Sequence, residues 1–215
     1  MSEFLALVRG ASTTLEVSFI ATLGGMFVGI AVAIAFQTNY KILRLLVRCY
    51  VSFVRGTPLF IQILVIYFLF PAINVDISPF HAGVIALAFN SGAYISEMIR
   101  GAITAIPWGH LEAARALAMP RRLIWAHIIL PQVLTLILPP LTVEFAQLLK
   151  GSALLSVIGL VELTRTGQQI IGNTFAPIGV WVQVGFLYFV MCYVLGIVTR
   201  YAQRATIAHR PREAF

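Results

Sequence analysis

Glu144 and Gln147 stand one helical turn apart near the end of an apolar segment, 123–149, that is long enough to cross a bilayer. An ionisable group inside such a segment costs about 2.5–3.5 kcal/mol on insertion scales, so by default it marks a site or a pathway. A carboxylate there can receive an ammonium group. The competing account is a helix-end pair, with Glu144 held near Lys150 at the membrane interface. Asn90, inside the apolar segment 81–104, is a further polar candidate for the same pathway. Glu97 and Arg100 form an i, i+3 pair suited to a structural or gating role, and Arg55 and Thr57 shape the entry to another apolar run.

None of these residues makes a catalytic constellation. The chain has no Gly-rich run ending in Gly-Lys-Ser/Thr that would wrap phosphates, and no His-Glu-x-x-His. His81, His110, His127 and His209 are isolated from one another, and Cys49 and Cys192 lack metal-ligand spacing. Gly151-Ser152 has no recognisable partner base and reads as a small-residue turn. The sequence therefore predicts no enzyme, no cofactor and no metal on this chain.

The elements that must carry the polar residues are membrane helices. The 215 residues are 60% hydrophobic and 11% charged, where soluble domains carry about 25% charged residues. Mean hydropathy is +0.91. Met1-Ser2-Glu3-Phe4 offers no basic n-region or small-residue cleavage site, so no cleaved leader is expected. Five apolar segments, 12–37, 51–72, 81–104, 123–149 and 178–203, predict an all-α protein of five transmembrane helices in one domain, 1–215. The second is interrupted at Arg55-Gly56-Thr57-Pro58, and Pro131, Pro139 and Pro140 predict a kinked or broken fourth span. Gly24, Gly25 and Gly29 allow the first span to approach a neighbour closely.

The net charge of +7 is explained by topology rather than by a nucleic acid partner. With the N-terminus outside and the C-terminus inside, only Arg9, Lys150 and Arg165 lie outside. Lys41, Arg44, Arg48, Arg55, Arg100, Arg115, Arg121, Arg122, Arg200, Arg204, Arg210 and Arg212 all fall inside, where Lys and Arg collect. That orientation places the polar stretch 107–120 in the cytoplasm, between the third and fourth spans. As a helix it puts Leu111, Ala114, Leu117 and Ala118 on one face and makes Glu112 and Arg115 an i, i+3 pair. It is either a passive interfacial helix or a thin rod able to enter a groove on a soluble partner.

Glu112-Ala113-Ala114, the small Ala118, then Ile128, Leu130 and Pro131 resemble in spacing the EAA loop of permease subunits of bacterial ABC importers. Arg55-Gly56-Thr57-Pro58-Leu59 with Gln62 and Tyr67, the run 93–101, Leu130-Pro131-Gln132, Leu149-Lys150, the run 154–159 and Glu162-Leu163-Thr164 resemble the polar amino acid uptake subfamily. Three features depart from it. Ala118 stands where glycine is usual, which argues against a sharp bend there. Gly151-Ser152-Ala153 replaces a more polar triplet, and Val143 stands where Asn is common.

The resemblance implies a membrane subunit that imports a polar amino acid by alternating access. It implies a second permease subunit, identical or paralogous, and two cytoplasmic ATPase subunits holding ATP and Mg. A periplasmic or lipid-anchored binding protein would deliver the substrate. Gly109, His110, Glu112, Ala113, Ala114, Arg115 and Ala118 would then form the surface that docks the ATPase, with Glu112 pairing a basic group. The alternatives are the same architecture importing an opine or a sulfur amino acid derivative, and a channel or carrier independent of any ATPase.

Overall fold

The computed structural model describes the backbone of residues 2–208 and the side chains of residues 3–201, and among these residues there is helix but no strand. Arg204, His209, Arg210 and Arg212 have side chains outside the described residues. The elements are α1 (Ser2–Phe36), α2 (Lys41–Gly56), α3 (Leu59–Ala72), α4 (Pro79–Thr104), α5 (Trp108–Ala116), α6 (Arg121–Ile124), α7 (Leu130–Gly151), α8 (Leu163–Thr174) and α9 (Pro177–Ala208). A π-helical turn, Trp125–Ile129, joins α6 to α7, and a tight helical turn, Ser152–Ile158, follows α7. Among the described residues four stretches are long and apolar enough to cross a membrane, and a fifth if the bent pair α2–α3 counts as one span.

At 1.5 Å per residue α1, 35 residues long, reaches about 52 Å and α4, with 26, about 39 Å, both beyond the roughly 30 Å of a hydrocarbon core. α4 starts sharply because Ser78 caps it and Pro79 suits its first turn. α1 and α4 lie against each other where side chains are missing. A Cβ at Gly25 would come within 2.9 Å of the Ser91 side chain, and one at Gly29 within 2.7 Å of Ile95. The main core, including Val17, Ala21, Ile63, Ala86, Leu87, Leu148 and Leu155, grows from this crossing. Phe19, Phe27, Phe186 and Phe189 point outward, as lipid-facing residues do.

Segment 51–72, read from the sequence as one span, is two helices bent by 115° at Thr57 and Pro58. Pro58 supplies no N–H and disfavours helix at Thr57, so the bend falls there. α2 also begins ten residues earlier than that reading. Its Val47, Val51 and Val54 are buried along one stripe, while Lys41, Arg44, Arg48 and Arg55 share another.

The fourth span is irregular at one of its three prolines. α7 runs unbroken through Pro139 and Pro140. The irregularity lies just before Pro131, whose ring would clash with the carbonyl one turn back, and the wider π-helical turn at Trp125–Ile129 makes room for it. Gln132 Nε2 donates to the Ile128 carbonyl at 2.8 Å, satisfying one group in that loosened turn.

α8 is held by Glu162, which is fully buried. Its carboxylate accepts from the N–H groups of Thr164 and Arg165, both at 2.8 Å, from Tyr188 Oη at 3.0 Å and from Thr14 Oγ1 at 3.4 Å. The four donors tie α8 to α1 and α9. Burial pushes the Glu162 carboxyl above the ordinary carboxylate range, against the pull of these bonds.

Candidate functional site

Asn90 on α4, Thr57 in the α2–α3 bend, and Glu144 and Gln147 on α7 line one cavity of about 750 Å³, together with Tyr94 and Lys150. The helical repeat explains the convergence: Pro140, Glu144, Gln147 and Gly151 fall on one stripe of α7, and Asn90, Tyr94 and Met98 on one stripe of α4. Glu144 and Asn90 are each only 8% exposed, whereas Gln147 and Lys150 are open. Glu144 forms no ion pair among the described residues, with Lys150 or any other group. Ser91 on α4 is its polar neighbour.

Beside this cavity Glu97 sits between two arginines. Arg100 Nη2 lies 2.7 Å and Arg55 Nη1 3.6 Å from Glu97 Oε2. Arg55 also stands over the Tyr94 ring and Arg100 over Phe36. The cluster joins the ends of α1, α2 and α4 next to the Thr57 and Tyr94 wall.

The second polar region is α5, Trp108–Ala116, shorter than the stretch 107–120. Its inner side, Leu111 and Ala114, packs with Ala102, Ile106, Ile124 and Ile129, and His110 Nδ1 lies 3.2 Å from Gln132 Oε1 on α7. Leu117 is exposed beyond the helix end, so it does not share the buried face with Ala114. The outer side presents Trp108, Glu112 and Arg115. Glu112 and Arg115 do not pair directly: Trp108 Nε1 donates to Glu112 Oε1 at 2.6 Å, and Arg115 stacks 5.0 Å over the indole. A Cβ at Gly109 would meet nothing, and Ala113 is exposed, so both leave that side smooth and open.

Ala118 corrects the expectation drawn from its side chain. It adopts φ 52°, in the left-handed region, and the chain turns sharply there. The Met119 N–H reaches the Ala114 carbonyl at 3.1 Å and the Ala118 N–H that of Arg115 at 2.9 Å, a Schellman ending in which glycine is the usual residue. Met119 packing against the Leu111 and Ala114 cluster closes the motif. An alanine in this conformation carries about 1 kcal/mol of strain. Ala118→Gly is accordingly expected to raise the thermal unfolding midpoint of the purified protein; an unchanged or lower midpoint shows that the turn stores no strain.

Sequence reasoning left Tyr94 and Lys150 without a place on the cavity wall, and Gln62, which meets Asn90 behind that wall, without a partner. Gln62 had a signal, as the one amide in the apolar run of α3. For the other two only the helical stripe could have given one.

The family model described as binding-protein-dependent transport system inner membrane component matches residues 25–207. The glutamine transport system permease protein of Escherichia coli strain K12 is 36% identical over 200 residues, covering 92% of this chain and 91% of that protein. The L-cystine transport system permease protein of Bacillus subtilis is 35% identical over 199 residues, covering 92% and 85%. A crystal structure of an amino acid ABC transporter with histidines superposes with a TM-score of 0.88 at 36% identity, covering 93% of this chain and 94% of that one. By that match over most of its length, the chain belongs to the inner membrane components of binding-protein-dependent transport systems, the permease subunits of ABC importers.

Proposed function

We propose that this chain is one transmembrane domain, non-catalytic by itself, that imports a small polar amino acid by alternating access. The cavity shared by Asn90, Glu144 and Gln147 carries the reading, because a buried carboxylate without an ionic partner suits the ammonium group of an amino acid. Exposed Lys150 is available to the substrate carboxylate. Glu97, held between Arg55 and Arg100, acts as a gating or structural clasp next to that cavity.

The N-terminus lies outside and the C-terminus inside, an orientation supported by the distribution of Lys and Arg. α5 is then the cytoplasmic coupling helix. Gly109, His110, Glu112, Ala113, Ala114, Arg115 and Ala118 form or shape the surface that meets one ATPase, with Glu112 pairing a basic group there. The assembly holds a second permease, identical or paralogous, two ATPase subunits that bind ATP and Mg, and a binding protein that delivers the substrate. The relatives named for glutamine and L-cystine support an amino acid, and the latter keeps sulfur amino acids in view.

Uptake by the reconstituted assembly, measured with tritiated standard amino acids and L-cystine, tests the substrate class. Accumulation of at least one polar member is expected. Accumulation of none of them overturns the reading.

A further inference from the structure

We infer that Gln62 is a positioning residue: it fixes the Asn90 amide so that its carbonyl oxygen, and not its NH₂, faces the cavity. The inference rests on the reading of that cavity as the substrate path.

Gln62 is 4% exposed within the apolar helix α3. A buried amide is costly unless it is hydrogen-bonded, and this one is bonded at both ends. One end of the amide lies 2.9 Å from the Val54 carbonyl, 3.1 Å from the Thr57 carbonyl and 2.8 Å from Thr57 Oγ1. The hydroxyl proton of Thr57 is already committed to the Phe53 carbonyl at 2.8 Å, so all three groups are acceptors. That end must therefore be the NH₂, Nε2. The three acceptors converge there because the 115° bend strips the end of α2 of its helical partners.

With Nε2 fixed, Gln62 Oε1 can only accept, and the group it meets at 2.9 Å on Asn90 must be the donor, Nδ2. Asn90 Oδ1 then has no protein partner among the described residues. It is not sealed in either, since the buried side-chain atoms without partners there are those of Ser18 and Ser91. Asn90 lines the cavity, so its oxygen opens onto the same space that the Glu144 carboxylate lines. Two acceptors on facing helices suit a primary ammonium group, which has three donors to place. Freed from Gln62, the Asn90 amide could turn and present NH₂ to the same ligand group, exchanging an attraction for a repulsion.

The test uses the permease–ATPase complex without binding protein. An equimolar mixture of the standard amino acids and L-cystine is titrated while the unfolding midpoint is followed, because a ligand of the folded state raises that midpoint. Gln62→Met is expected to weaken the apparent Kd of the mixture about tenfold, as Asn90→Ala does, the scale of one lost hydrogen bond. The double variant should bind no worse than Asn90→Ala alone, since residues acting through one contact are not additive. Gln62→Glu keeps the acceptor toward Asn90 and loses the amide donors at the bend. It should lower the ligand-free midpoint yet retain wild-type Kd, which separates positioning from mere support and holds even if Gln62→Met fails to fold.

Wild-type Kd in Gln62→Met, the summed loss in the double variant, or a Gln62→Glu defect as large as that of Asn90→Ala overturns the inference. If the wild type shows no shift, or Asn90→Ala keeps the full shift, the substrate-path reading itself falls and the role of Gln62 with it.

Discussion

Glu144→Gln is expected to slow amino acid uptake by the reconstituted assembly roughly tenfold while raising the unfolding midpoint of the permease. The two effects have opposite signs for one reason. A charge-assisted hydrogen bond from a substrate ammonium is worth about 1.4 kcal/mol more than the neutral one left by glutamine, which is tenfold. With no substrate present, the carboxylate stands 8% exposed inside a span without an ionic partner, so its neutral isostere folds at lower cost. A residue kept for packing or for a helix-end pair would lose stability and transport together. Parallel losses in both measurements, or undiminished uptake, remove Glu144 from the pathway.

Glu112→Lys is expected to cut the number of molecules imported per ATP hydrolysed at least about tenfold, with membrane insertion and unfolding midpoint unchanged. Reversing one charge of a desolvated pair between proteins costs several kcal/mol, whereas an exposed charge within one protein contributes about 1 kcal/mol or less. Within the chain Glu112 is exposed and bonded only to Trp108. α5 stays anchored through Leu111, Ala114 and the contact of His110 with Gln132, none of which this substitution touches. Glu112→Ala should fall between the two. Coupled transport at the wild-type ratio in both variants would dismiss the docking role.

How much of this was legible in the sequence depends on how apolarity is distributed. The long spans could be read because α1, α4 and α9 each carry a continuous apolar run, although α1 begins ten residues before the 12–37 expected of it. α2 escaped because Lys41, Arg44 and Arg48 break its apolar run, though their spacing is that of one helix face. α8 escaped likewise: it is short and amphipathic, and the cap supplied by Glu162 depends on Thr14 and Tyr188, both distant in sequence.

The polar residues of the site were legible as singular charges and amides in apolar runs. Their meeting was not, because α2–α3, α4 and α7 converge only in the folded bundle. The bend at Ala118 could not be read from an alanine at all, since the Schellman bonds and the Met119 contact impose it from outside that residue. The π-helical turn is the reverse case. Pro131 announced a disturbance, and the chain absorbed it as a wider turn just before that residue, while α7 stays helical through Pro139 and Pro140.

This chain is expected to move an amino acid only when a partner hydrolyses ATP. The direct measurement compares uptake of the same tritiated amino acid into proteoliposomes holding the permease alone and into proteoliposomes holding permease, ATPase and binding protein, each with ATP and with a non-hydrolysable analogue. Accumulation against a gradient is expected only for the complete assembly with ATP. Accumulation by the permease alone, or by the assembly with the analogue, contradicts it.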